Sequence, residues 1–201
     1  MKLLGTLLTA AVLTLNVSTL HAQSKGQDLQ RQAAASLEKK EYTQARYLYL
    51  QAYSALAEEK KYDAAAECGA KVGALYHREN MFKEAFEVLR NADQFFSQEE
   101  RDSGKQLPAA HYPLTKERIR MYVKLKNLQR ADEQLSRLEE LAKQAASDSL
   151  KNDVLYTRAN YYYTFGQQAQ GDEAISRLIN QYKAANAYDK VTDCYKTLID
   201  I

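Results

Sequence analysis

Apolar residues recur along this chain at helical spacing. Tyr42, Ala45, Tyr49 and Ala52 stand at i, i+3, i+7 and i+10, and Phe82, Ala85, Leu89 and Ala92 repeat that spacing with polar residues between them. Such a stripe covers one side of a helix, so each segment predicts an amphipathic helix. Two further segments carry the same grammar, Asn127 to Leu138 around Ala131 and Gln170 to Leu178 around Ala174. Twelve residues before each alanine a preceding helix carries a paired position, occupied by Ala33, Gly73, Ile119 and Tyr162. Three residues further on stand Ser36, Tyr76, Tyr122 and Phe165. A small residue where two antiparallel helices cross lets their backbones approach, and a large one a turn away fills the gap beside it. With 2 Pro and 7 Gly in 201 residues, and no alternating Val, Ile or Thr runs, little material is left for a turn-rich β fold.

These segments resemble the tetratricopeptide repeat (TPR) family, whose units are helix pairs with small residues at those crossing points. Ala33 with Ala45 and Gly73 with Ala85 match that pattern, whereas Ile119 and Tyr162 depart from it. The resemblance implies an all-α fold, a right-handed α-α superhelix (TPR-like solenoid) of about four helix pairs. The repeats fall near 27–59, 62–98, 114–146 and 150–184, with a terminal helix over 187–201. No single pair can bury its own stripe, so each depends on the next. The alanine-to-alanine steps are 40, 46 and 43 residues, longer than the family's ~34. Longer second helices and an irregular connection from Glu99 to Pro113, where Gly104, Pro108 and Pro113 cluster, account for the surplus.

At the N-terminus Lys2 precedes an apolar run from Leu3 to Leu15 and a more polar stretch ending at His21-Ala22-Gln23. That layout reads as a secretory signal peptide, 1–22, cleaved after Ala22. Residues 23–201 are therefore expected to be exported, periplasmic or extracellular, and to contain no segment approaching the ~20 apolar residues of a membrane span. Without Lys2 the 28 basic residues become 27, against 26 acidic ones. Near-neutral, interspersed charge argues against nucleic acid or an anionic membrane as partner. Cys68 and Cys194 belong to repeats several units apart, beyond the ~7 Å limit between bridged Cα atoms, and are expected as buried free thiols. A monomer is expected.

Candidate chemistry is sparse. The mature chain has two histidines, His77 and His111. His77, Arg78 and Glu79 are neighbours on a helix and point to different faces; His111 falls in the proline-bounded connection and reads as a loop residue. No Gly-rich phosphate loop, paired-histidine zinc spacing or nucleophile elbow occurs, so no catalytic residue, metal site or cofactor is assigned, and the chain is read as a non-enzyme. An acid from another repeat facing His77, or a recess with two facing carboxylates, would instead favour an enzyme or a glycan-binding array. Tyrosine is in excess, 15 against 5 Phe and no Trp. Tyr161-Tyr162-Tyr163 spreads over ~200° of a helix, so at least one of the three should be exposed or line a groove.

The family resemblance implies that the first helix of each pair lines a concave groove. Carried across, that groove holds His77, Arg78, Lys116, Arg120, Lys124, Tyr156 and Tyr163, basic in the third unit and aromatic in the fourth. It implies a protein or peptide ligand, acidic or aromatic in character. Ala34, Ala74, Arg120 and Tyr163 occupy the place where chaperone-binding members carry a clamp asparagine, so that activity is not implied. The expected function is an exported scaffold or adaptor. The alternative is the extracytoplasmic sensor region of a longer membrane-bound signalling protein, suggested by the abrupt ending on Leu198-Ile199-Asp200-Ile201.

Overall fold

A computed structural model describes residues 24–199, with side chains through residue 196; the leader assigned to 1–22 lies outside the described residues. These fold into α-helices and short connections without a strand. The helices are α1 (Lys25–Glu38), α2 (Tyr42–Glu58), α3 (Tyr62–Arg78), α4 (Phe82–Ser103), α5 (Pro108–Lys124), α6 (Leu128–Gln144), α7 (Asp148–Thr164), α8 (Gln168–Ala184) and α9 (Tyr188–Ile199). Consecutive helices pack as pairs and the pairs stack, which makes the chain an α-solenoid. None of the described helices is long and apolar enough to cross a membrane.

The array has a stricter rhythm than the sequence pattern suggested. Six of the helices, α2, α3 and α5 to α8, have 17 residues each. Every connection except that between α4 and α5 has three residues, the middle one at positive φ: Lys40, Lys60, Asn80, Lys126, Ala146, Gly166 and Asn186. At all of these turns but the one at Ala146, the next residue's N–H reaches back to a carbonyl five positions earlier at 2.9 Å, as Lys61 does to Leu56 and Asn127 to Tyr122. This is the Schellman closure, which satisfies helix-end carbonyls otherwise left without a donor. At the exception, Ser147 caps α7 with its hydroxyl, accepting from the Leu150 N–H. Each 17-residue helix with its turn therefore occupies 20 residues, and a pair of them 40, whereas α4, with 22 residues and a four-residue connection, lengthens its pair to 46.

That rhythm corrects the register of the fourth unit. Ala45, Ala85 and Ala131 each lie five residues after a positive-φ turn residue and are fully buried. Five residues after Gly166 stands Gly171, not Ala174. A Cβ on Gly171 would come within 2.4 Å of the Tyr163 ring, so α7 packs against α8 here where only a glycine leaves room. Its partner twelve residues earlier is Ala159, fully buried. The large position falls on Tyr162, whose carbonyl accepts the Gln167 N–H as Tyr122 accepts from Asn127. A three-residue slip turns a helix by only ~60°, and Ala174 is itself 4% exposed, which is why the apolar pattern alone pointed to the wrong alanine.

A second correction concerns the stretch from Glu99 to Pro113. Helix α4 continues to Ser103 and is stopped by Gly104 at φ 68°, a backbone state that glycine adopts without a Cβ penalty. Pro108 opens α5, where its missing N–H is one that a helix start leaves free anyway. Pro113 sits inside α5, in a run from Ala110 to Thr115 that is buried throughout. Packing on several sides holds a turn that local propensity disfavours. His111 is consequently a helix residue with a side chain 5% exposed. Its Nδ1 lies 2.5 Å from Asp93 of α4, and its Nε2 lies 3.4 Å from Glu100. Arg118 and Arg137 also donate to Asp93, at 3.2 and 3.1 Å, so one carboxylate ties α4, α5 and α6 together.

The apolar interior is contiguous in steps. One cluster runs through α1 to α5, a second through α5 to α7, and a third through α7 to α9. Helix α5 turns Ala110, Leu114 and Met121 to the first and Tyr112 and Ile119 to the second. Cys68 and Cys194 are both buried and unpaired.

Candidate functional site

The odd-numbered helices α3, α5 and α7 leave a recess of about 360 Å³ between them. Its floor is small on the α3 side, where Ala70 and Ala74 stand. Across from them α5 presents Tyr112, Lys116, Glu117 and Arg120, and α7 presents Asp153.

Two carboxylates organise these groups. Glu117 is 3% exposed at its side chain; its Oε1 lies 2.9 Å from His77 Nδ1 on α3, and its Oε2 accepts from Arg120 at 3.1 Å. Asp153 receives Lys116 Nζ at 2.5 and 2.7 Å on its two oxygens. The Tyr112 hydroxyl lies 2.8 Å from Asp153 and 3.1 Å from the Leu150 carbonyl. Burial first, and then the Asp153 charge, push the Tyr112 phenol well above its ordinary range, so it stays a proton donor. These bonds join α3 to α5 and α5 to α7. Buried charges persist only where such partners satisfy them.

The recess is therefore a mosaic of both signs. Lys116 and Arg120 each face an acid, and Glu67 with Lys71 adds one of each sign on the exposed edge of α3.

Of the residues the sequence singled out, His77, Lys116 and Arg120 come together through Glu117 and Asp153. Tyr156 joins them along a slot of about 120 Å³ between α5 and α7, bordered also by Ile119, Val123, Thr157, Asn160 and Tyr161. Arg78 does not: its guanidinium stacks 4.1 Å above the ring of Tyr42 on α2. Lys124 is exposed on the last turn of α5, outside the lining of the recess, where a cation complements the helix dipole. Tyr163 packs on Gly171 and donates to Asp172 at 2.8 Å. The corrected register places Asn160 rather than Tyr163 at the groove position. Of the tyrosine run, Tyr161 borders the slot while Tyr162 and Tyr163 are half-buried.

Glu117, Asp153 and Tyr112 were not read from the sequence. Asp153 stands six residues before Ala159, as Gln27 does before Ala33, so the correct register would have found it. Glu117 lies on the flank of the inner face beside Lys116, and a lone acid next to a lysine carries no signal of its own.

Fold and recess together define a helical-repeat protein, an α-solenoid with a polar recess on the face of its odd-numbered helices. No family model and no curated protein matches the chain. Among solved structures it is similar to BtubC (BKLC) from P. vanneervenii, with a TM-score of 0.59 and 15% identity over 80% of this chain. The chain spans 64% of the length of BtubC. At that identity the likeness concerns the fold alone.

Proposed function

We propose that this chain is an exported, TPR-like interaction module that holds a peptide or protein segment in the recess between α3, α5 and α7. The observation that carries this reading is the recess itself: side chains from three successive helix pairs converge on one face and offer charges of both signs at its edge. The matched small positions, Ala33 with Ala45, Gly73 with Ala85 and Ala159 with Gly171, support the TPR-like part. Export rests on the leader; a mature N-terminus other than Gln23 or its immediate neighbours would count against it.

A photo-crosslinking residue placed at Ala74, in the recess, is compared with one at Tyr47, 58% exposed on α2. Covalent capture of the same protein partner from position 74 but not 47 supports the module. Capture from position 47 alone sinks it.

One arrangement favours a second reading. His77 faces Glu117, an acid of the next repeat, and Glu67, Glu117 and Asp153 share one recess. Such a constellation suits a small polar ligand such as a glycan. Binding of soluble oligosaccharides that is abolished by Ala74→Trp, with no protein captured from position 74, would select it.

A further inference from the structure

At the edge where α2 turns into α3, an open hollow of about 420 Å³ lies between α2 and α4. Three aromatic rings wall it, Tyr53 of α2, Tyr62 of α3 and Phe95 of α4, and Glu58, Glu99 and Lys60 border it. None of these residues lines the recess. Tyr53 and Tyr62 each form an edge-to-face pair with Phe95, with centroids 6.3 Å apart and planes at 72° and 65°. Both also pack at a steep angle on Phe96, at 6.3 and 6.1 Å, and Phe96 is fully buried. The rings are thus held in place by the core beneath them. The three wall residues and Glu99 are half-buried and Glu58 is exposed, so each is open to solvent.

The charges set this hollow apart from the rest of the molecule. Half-buried acids elsewhere hold a cation: Asp93 has Arg118, Glu139 has Arg158 and Asp153 has Lys116. Glu99 instead accepts from the Tyr62 hydroxyl with Oε2, and neither it nor Glu58 has a cationic partner among the described residues. Lys60 stands on the rim without pairing to either. The rings differ in the same way. Tyr42, Tyr76, Tyr182 and Tyr195 are covered by Arg78, Arg46, Lys190 and Lys183, whereas the chain sets no cation of its own over Tyr53, Tyr62 or Phe95 among the described residues.

Ring faces attract a cation within ~6 Å of the centroid, and rings 6.3 Å apart can share one. A primary ammonium brings three donors that need acceptors and is strongly hydrated, and ring carbon supplies no acceptor. A quaternary ammonium has no N–H to satisfy and presents methyl groups to the rings. We infer that this hollow binds a quaternary ammonium group, its methyls against Tyr53, Tyr62 and Phe95 and its charge balanced by Glu99 and Glu58.

The isotope-labelled protein is titrated with choline chloride at constant ionic strength, and in parallel with the neutral isostere in which carbon replaces the charged nitrogen. Amide NMR shifts should saturate with choline, cluster at the end of α2, the start of α3 and the last turns of α4, and be absent with the isostere. Tyr53→Leu and Glu99→Gln should each weaken choline roughly three- to tenfold. Glutamine keeps an acceptor for the Tyr62 hydroxyl, so Glu99→Gln should retain its helix content and melting temperature, and it carries the test if Tyr53→Leu fails to fold. Equal shifts with the isostere, no saturable shift, or an unchanged choline affinity in either folded variant overturns the site. Where choline binds, sedimentation with phosphatidylcholine vesicles assigns the group to a lipid headgroup, and binding without sedimentation assigns it to a free small molecule.

Discussion

Gly171 on α8 lies against the ring of Tyr163 on α7, so close that a Cβ on the glycine would stand 2.4 Å from Tyr163 Cε1. The Tyr163 hydroxyl is anchored to Asp172, which limits how far the ring can give way. Gly171→Val is expected to destabilise the fold by about 1–3 kcal/mol, the range typical of forced overpacking. Urea unfolding monitored by circular dichroism measures it, with Ala174→Val as comparison. An unchanged midpoint for Gly171→Val would contradict the register derived for the fourth unit.

Left-handed turn residues offer a stabilising change. Lys60 and Lys126 hold φ of 56° and 55°, a region that costs a residue with a Cβ roughly 1–2 kcal/mol. Glycine there removes that strain but loses ~0.5–1 kcal/mol more backbone entropy on folding. Lys60→Gly and Lys126→Gly should therefore each raise stability by up to about 1.5 kcal/mol, visible as a higher melting temperature. A lower melting temperature in both would mean that the lysine side chains make contributions this geometry does not contain.

Acid should loosen the junction of α4, α5 and α6. Burial pushes the Asp93 carboxyl up, but the His111 hydrogen bond and the Arg118 and Arg137 charges together outweigh it and hold the group at about 2, against 3.8 ordinarily. The folded value is the lower one, so the stability that Asp93 contributes is present above about pH 4. It is lost as the pH falls from 4 towards 2. The size is on the order of 2 kcal/mol. Unfolding free energies measured across that range should fall more steeply in the unaltered protein than in Asp93→Asn, and parallel curves would refute the assignment.

Both thiols should be inert while the protein is folded. Burial, then the nearby Glu67, pushes Cys68 up to about 12, and burial followed by Asp193 raises Cys194. The thiolate is the reactive form, so neither group should react with a disulfide reagent at pH 8. Both should react promptly in denaturant, giving two labels per chain, since the sequence holds 2 Cys. Fast labelling of the native protein would show that the interior around α3 or α9 opens.

Helix identity and pairing were legible because they depend on local periodicity. Ala33, Ala45, Gly73 and Ala85 mark crossings that any stacked arrangement of these stripes must use, and all four are buried. The fourth unit was misread because Ala174 and Gly171 lie on nearly the same side of one helix, and only the turn at Gly166 distinguishes them. Pro113 was read as a breaker because propensity is a local quantity. Its helix survives through burial supplied by helices distant in sequence. Register accounts for only part of the groove: Lys116 and Arg120 reach the recess and Tyr163 of the misread unit does not, but Arg78 and Lys124, in units of correct register, also stay outside its lining.

By itself the sequence determined that the chain folds into amphipathic helices, that these pair in order, and that Cys68 and Cys194 stand too far apart to bond. Only the tertiary structure decided that Glu117 would meet His77, that Asp153 would neutralise Lys116, and that Asp93 would gather His111, Arg118 and Arg137. The reason is physical. Burial of a stripe follows from spacing within one helix, whereas these ion pairs between helices join groups some 18 to 44 residues apart, whose meeting depends on the length of every helix and turn between them.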